Sequence, residues 1–259
     1  MNFREDKKVI IPVLLVLAAF VGWKSWKDMH PVKLDKQPVV FDTRYLARDK
    51  SSLDAVPDNG STIVVWAGDI GMKDGKAALT PSPIEPVSIP QREVDPLYVM
   101  PEIPKDFSGA YAEIKKNLDL WRAQNNTFNS FVLEYTADKP DLVALHALCN
   151  GLWKHLDEKY WIIVALRRDA VEAAPQRNEW LAQMEKSAPM LVFSRKEERK
   201  EPESLELMIK NLENLGTDYI IALDEIPDYR SLTQAFKEQP PKRFAAFLLD
   251  MTALRKATQ

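Results

Sequence analysis

Carboxylates that directly follow apolar, β-branched runs are the residues of this chain best placed to do chemistry. Glu134 closes the run "FNSFVLEY" and Asp224 follows "YIIAL". Asp69, Glu102, Glu225 and Asp250 stand in similar places, with Arg167, Arg168 and Arg195 among them. In α/β folds the carboxyl ends of strands open into the loops where sites form, so these residues amount to a ring of acids with a few cations. Two carboxyl groups facing each other across such a ring suit glycosidic cleavage: one protonates the leaving oxygen, and the other, ionised, activates water or attacks the sugar. Glu134 and Asp224 are the acid and base candidates. Glu102 and Asp250 are candidate substrate-binding residues and reserve acids, and Trp66 and Tyr135 offer aromatic faces on which sugar rings stack. The plainer account is that strand ends emerge into water and carry polar residues anyway; with 28% of the chain charged, several would fall there by chance.

Other chemistries lack their residues. The chain has no G-x-S-x-G elbow, no H-E-x-x-H, no phosphate-binding G-x-x-x-x-G-K and no G-x-G-x-x-G. His30 lies near the N-terminus, and His146 and His155, nine positions apart on one helical pattern, face different ways. A lone cysteine, Cys149, excludes an intramolecular disulfide and a cysteine-built metal site; on an apolar helix face it reads as an inert core thiol. Neither a metal nor a cofactor is expected. A net charge of -3 and a pI near 5.8 argue against a nucleic-acid partner. The mixed-charge run "RKEERKEPE", residues 195–203, reads as a surface loop.

The elements that must position these residues recur in a regular alternation. Seven apolar runs read as strands: "TIVVWAG" (62–68), "LYVM" (97–100), "FNSFVLEY" (128–135), "WIIVAL" (161–166), "MLVF" (190–193), "YIIAL" (219–223) and "FAAFLL" (244–249). Near-continuous apolar character is what strands covered on both faces require. Between them lie helical patterns: Tyr111, Ile114, Leu118 and Trp121; then Leu142, Leu145, Cys149, Leu152, Trp153 and Leu156, with Asp141 as N-cap; then Leu205, Met208, Leu212 and Leu215, stopped by Gly216; then Tyr229, Leu232 and Phe236. The interval after the first strand contains five prolines beyond Thr80 and reads as a long surface loop. A strand and a helix about every thirty residues is the rhythm of βα units. The expectation is an α/β fold, an irregular or incomplete TIM-like (β/α) barrel with one strand too few; a doubly wound parallel sheet uses the same alphabet and is the alternative.

Ahead of this domain, "VIIPVLLVLAAFVGW" (9–23) carries no charge, and Lys24 and Lys27 can snorkel so that a span reaches Trp26. Trp23 and Trp26 suit an interfacial belt, and the bulky "FVGWKSW" lacks the small-x-small pattern of signal cleavage. The division expected is a cytoplasmic tail (1–8), a transmembrane anchor (9–26), a proline-bearing linker (27–60, with a short strand at "PVVF") and the α/β domain (61–259). A short tail before a long domain places the chain as a single-pass protein of the bacterial inner membrane with its domain in the periplasm. Lysines on both sides of the run leave the charge count itself indecisive.

The stretch "IKKNLDLWRAQNNTFNSFVLEYTADKPDL" followed by "YWIIVAL" resembles an uncharacterised bacterial family of glycoside-hydrolase-like (β/α) barrels. The likeness sits in the central third of residues 62–250. In that family the corresponding strand ends in an Asp-x-Asp style pair and the next leads into a tryptophan-bearing loop. Here the pair reads Glu134-Tyr135-Thr136, and "RRD" ends the next strand with Trp180 well downstream. The resemblance implies a sugar-binding barrel mouth, and a side chain lengthened by one carbon implies weakened catalysis, because a shift of about 1 Å can cost on the order of a hundredfold in rate. Two functions follow as expectations. One is a membrane-anchored envelope protein whose barrel binds or hydrolyses a polysaccharide. The other is a catalytically inactive barrel, a structural or interaction subunit of a membrane or secretion complex.

Overall fold

The computed structural model describes residues 41–252, except 75, 90–92, 106–107, 125–127, 129, 157–158, 176, 188–189, 194–204 and 224–225. Nine strands and seven helices are described: β1 Thr43–Ala47, α1 Lys50–Asp54, β2 Ile63–Lys73, β3 Lys76–Pro81, β4 Val94–Met100, α2 Ser108–Ala123, β5 Ser130–Tyr135, α3 Leu142–His155, β6 Trp161–Arg167, α4 Arg168–Ala173, α5 Arg177–Ser187, β7 Met190–Phe193, α6 Leu205–Glu213, β8 Tyr219–Leu223, α7 Ile226–Glu238 and β9 Phe244–Asp250. All seven expected strands are present.

The strands form one sheet in the order β7-β6-β5-β4-β2-β1-β9-β8, joined by seven parallel ladders, with β3 added antiparallel to β2. This is the order of the chain wrapped on a ring. A doubly wound sheet reverses direction beside its first strand, whereas here β1 is flanked by the next parallel strand and by the last. The sheet curls until β7 and β8 come into contact, although no ladder joins them among the described residues. The result is a curled, barrel-like parallel sheet.

Two segments differ from the sequence reading. The strand "TRYLA" and the short helix α1 lie inside the span assigned to the linker (27–60), so the folded unit begins near Phe41. The long proline-bearing interval is part structured: it turns back as β3 and makes a 3-10 turn at Pro86–Ser88, with no α-helix among its described residues. Residues 9–26 lie outside the described residues, and among the described ones no helix is long and apolar enough to cross a membrane.

Alternation along each strand divides the apolar side chains into two layers. On the convex side Ala47, Val65, Tyr98, Phe131, Leu133, Val164, Ile221 and Phe247 pack under the helices, which contribute Ile114, Leu118, Trp121, Leu145, Leu152, Leu212 and Phe236. Burying each large apolar side chain contributes about 1.5–3 kcal/mol, so this layer is the main source of stability. Where their side chains are described, the helix faces read from sequence hold, except that Trp153 is 40% exposed while its neighbour Leu152 is buried. Asp141 caps α3 by accepting from Ala144 N at 2.9 Å, and Gly216, at φ 74°, takes the left-handed turn that ends the α6 segment. On the concave side Leu46, Val64, Leu97, Val132, Ile163, Ala165, Ile220, Ala222, Ala246 and Leu248 fill the interior as a smaller cluster, with Val99 packed on it.

Candidate functional site

Above and below that apolar tier, on the same face, lie charges; Arg44 on β1 and Arg48, just past its end, supply two of the cations. Arg44 and Arg48 are four residues apart, hence on one side of an extended chain and about 13 Å apart along it. At the amino end of the sheet, Arg44 Nη1 donates to Asp95 Oδ2 at 2.8 Å, and Ser130 Oγ donates to Asp95 Oδ1 at 2.5 Å. Asp95 is 1% exposed; burial pushes its carboxyl above the usual carboxylate range, against the Ser130 hydrogen bond and the Arg44 charge, which pull it down. At the carboxyl end, Arg48 Nη2 donates to both oxygens of Glu134, at 3.0 and 3.4 Å. Arg48 reaches from β1 past β2 and β4 to β5, so the pair forms a bar over Leu46, Val64, Leu97 and Val132.

Local sequence holds Arg48 in place. In "RDKSS" Asp49 is the N-cap of α1: its Oδ1 accepts from Ser52 N at 2.7 Å, while Ser52 Oγ accepts from Asp49 N at 3.0 Å and from Arg48 N at 3.1 Å. This reciprocal capping box fixes the backbone where β1 turns, which aims the guanidinium into the mouth.

Beside this pair, β2 contains a bulge. Trp66 pairs with Leu97, yet Gly68 pairs with Tyr98, so Ala67 is an extra residue. Residues three apart on a regular strand face opposite ways; the extra residue puts Trp66 and Asp69 on the same concave side. Trp66 Nε1–H donates to Asp69 Oδ1 at 2.9 Å, and both side chains are half-buried. The position of Gly68 requires glycine. Its φ is 156°, and a Cβ there would lie 2.5 Å from Thr80 O and 3.0 Å from Pro81 Cα, because β3 crosses close behind it.

The other sequence candidates separate. Glu134 is on the concave face, 8% exposed and paired as above. Tyr135 is not a platform for sugar: strand alternation turns it to the convex layer, where it is 4% exposed and its hydroxyl accepts from Asp141 N at 3.4 Å. Burial raises its hydroxyl pKa, against the Asp141 N–H hydrogen bond, which lowers it, and with smaller upward contributions from the Asp141 and Glu102 charges. Glu102 is exposed in the loop after β4. Asp250, at the end of β9, is half-buried and accepts from Thr252 N at 2.9 Å. Asp224, Glu225 and Arg195 lie outside the described residues. Arg167 faces the mouth and pairs with Asp138 at 2.8 Å, whereas Arg168 is buried on the other side against Glu172.

Two groups of residues escaped sequence reasoning. Arg44 sits in a five-residue strand and Arg48 directly after it, so the inward side of this segment is charged and no apolar run marks it. Asp95 precedes Pro96 at the amino end of its strand, away from the ends where chemistry is sought. The signal that could have found Arg48 is the capping box that follows it. Among the described residues no group of His, Cys, Asp and Glu is arranged to hold a metal ion, and Cys149 is buried with its thiol pushed up to about 12 by that burial. A cavity of about 300 Å³ lined by Glu172, Arg177, Asn211, Asn214 and Leu215 includes none of the mouth residues. No family model matches the chain, and no curated protein matches it.

Proposed function

We infer that the chain is a membrane-anchored envelope protein whose barrel mouth binds a polysaccharide. The observation that carries this reading is the mouth itself: a half-buried indole, Trp66, oriented by Asp69 beside the Arg48–Glu134 pair, at the end of the sheet where ligands of parallel α/β folds bind. An aromatic face flanked by fixed acceptors and donors is the composition that sugar rings require. Closure of the sheet into a TIM-like barrel, attachment through residues 9–26 and a periplasmic location for the domain belong to this same reading. The likeness to glycoside-hydrolase-like barrels supports it from the sequence side.

Binding is favoured over hydrolysis by the same geometry. A general acid must turn a protonated oxygen toward the glycosidic oxygen, and both oxygens of Glu134 accept from a guanidinium. The position two residues on, where the resembling family carries its second carboxylate, is Thr136. The reading is tested with the full-length chain in nanodiscs, titrated with envelope and exopolysaccharide oligomers. Saturable binding that Trp66→Ala abolishes is expected, with no reducing ends released. Release of product, lost in Glu134→Gln, would make the protein a hydrolase.

The bar across the mouth favours one other reading, an inactive barrel serving as a subunit of a membrane or secretion complex. There the Arg48–Glu134 pair closes the interior and the outer surface carries the function. Purification in detergent with the anchor intact separates the two: a stoichiometric protein partner together with no glycan affinity would replace the first reading by the second. A C-terminal reporter fusion tests the location; phosphatase inactivity with cytoplasmic fluorescence would overturn the periplasmic assignment.

A further inference from the structure

The bulge in β2 does more than orient an indole. Asp69 pairs with Val99 on β4, and Val99 pairs with Glu134 on β5. Asp69 and Glu134 therefore stand in one row on the concave face, one strand apart on either side of Val99, with Cα atoms about 10 Å apart at the usual strand spacing. Val99 is half-buried and gives the row an apolar floor. Asp69 Oδ1 is occupied by the Trp66 N–H, and Oδ2 meets no partner among the described residues.

Building on the glycan-binding reading above, we propose that Asp69 is a ligand-binding residue, the second carboxylate of the mouth, and that it selects glycans without acidic groups. A carboxylate only accepts hydrogen bonds, so Oδ2 beside the indole takes a sugar hydroxyl, and the bond is charge-assisted. The charges facing the mouth set the selectivity. Two described arginines of the mouth, Arg48 and Arg167, are already paired with Glu134 and Asp138, while Asp69 adds a negative charge beside the indole. A uronate would meet the Asp69 carboxylate with both of these arginines engaged, whereas a neutral hexose chain meets acceptors that match its hydroxyls. The bulge is the device that makes the row: without Ala67 as the extra residue, Asp69 would face the convex layer.

The test is calorimetric titration of the full-length chain in nanodiscs with cellohexaose, chitohexaose and hexagalacturonate, for wild type, Trp66→Ala, Asp69→Asn and Asp69→Ala. Asparagine keeps an oxygen that can hold the Trp66 N–H but lacks the charge, so the two Asp69 variants separate orientation from contact. The expected result is binding of a neutral hexaose and none of hexagalacturonate. Asp69→Asn and Asp69→Ala should both weaken binding about ten- to a hundredfold, the usual cost of a hydrogen bond to a charged group, with melting curves matching wild type. Wild-type affinity in Asp69→Asn with loss in Asp69→Ala would reduce Asp69 to a positioning residue and overturn the proposal, as would tighter binding of hexagalacturonate. In either case the glycan-binding reading stands, provided Trp66→Ala still abolishes binding. Absence of binding to all three probes would overturn the proposal and count against the glycan-binding reading as well.

Discussion

Replacing Arg44 by methionine removes one charge from the floor of the sheet and leaves its partner behind. Methionine keeps most of the apolar stem, so the loss is mainly electrostatic. Asp95 has a side chain 2% exposed, against 23% for Arg44, and after the change only Ser130 Oγ among its described partners remains. Stranding a buried charge costs about 3–5 kcal/mol; because Arg44 is partly wet, the lower end, about 3 kcal/mol, is expected. For a domain of this size that lowers the melting temperature by about 6–12 °C. Asp95→Asn keeps a carbonyl oxygen for the Ser130 hydroxyl and removes the charge. In the Asp95→Asn background, Arg44→Met should therefore cost under about 1 kcal/mol, a coupling of about 2 kcal/mol. The pH dependence has a definite sign. Asp95 is raised above its ordinary value by burial, so the folded state holds the proton more tightly than the unfolded state. The stability that proton brings is complete below the unfolded value of 3.8 and is lost as pH rises through the folded value. Removing Arg44 takes away one of the two influences that pull the value down. The deficit of Arg44→Met, measured by urea unfolding, should be smaller near pH 4.5 than near pH 7.5. An equal deficit at both, a deficit under about 1 kcal/mol, or an undiminished one in the Asp95→Asn background would refute this account of the floor.

Other outcomes are expected. Arg48→Met should cost about 1–2 kcal/mol, between surface and buried pairs, since Glu134 is nearly buried and Arg48 is not; a cycle with Glu134→Gln that shows no coupling would contradict the bar across the mouth. Gly68→Ala should lose about 2 kcal/mol or more, because its Cβ meets the Thr80 carbonyl, and it should weaken glycan binding by disturbing the bulge; a wild-type melting curve would show that β3 gives way. Tyr135→Phe should leave glycan affinity unchanged and cost under about 1 kcal/mol, read by titration and unfolding; a large loss of affinity would return Tyr135 to the mouth. Cys149 should resist iodoacetamide in the native protein near pH 8 and react on unfolding, since burial pushes its thiol up to about 12; mass spectrometry before and after denaturant checks this.

The parts of the fold that sequence reveals are those where apolar periodicity and structure coincide. "FVLEY", "IIVAL" and "YIIAL" are buried on both faces, and their composition shows it. β1 could not be seen in that way, because Arg44 takes one of its inward positions, Arg48 follows directly after it, and only Tyr45, Leu46 and Ala47 are buried. A strand that holds the charges of an interior looks like linker. β3 was hidden for a different reason: Pro81 and the prolines beyond it outweigh the short "KAALT" alternation. At the site, Glu134 was legible from its place after an apolar run. The orientation of Tyr135 was legible too, had the two-residue period been carried one step past Glu134. The pairing of Trp66 with Asp69 was not, since a bulge has no apolar signature and reverses the face that counting assigns.

The position of β1 in the ring bears on how the chain comes to its final state. Its ladder partner on one side is β2, close in sequence, but on the other it is β9, where Thr43 faces Phe247 and Leu46 faces Asp250. That second ladder cannot form until almost the whole described chain has been synthesised, and pairings this distant make folding slow. Strands β2, β4, β5, β6 and β7 can zip in order as they emerge, each beside the last. The two arginines are then held by one neighbour only until the final strand docks. A nascent chain stalled before Phe244 would carry the apolar interior with both of its electrostatic latches weakly held, which makes arrival of the last strand the step that commits floor and mouth together.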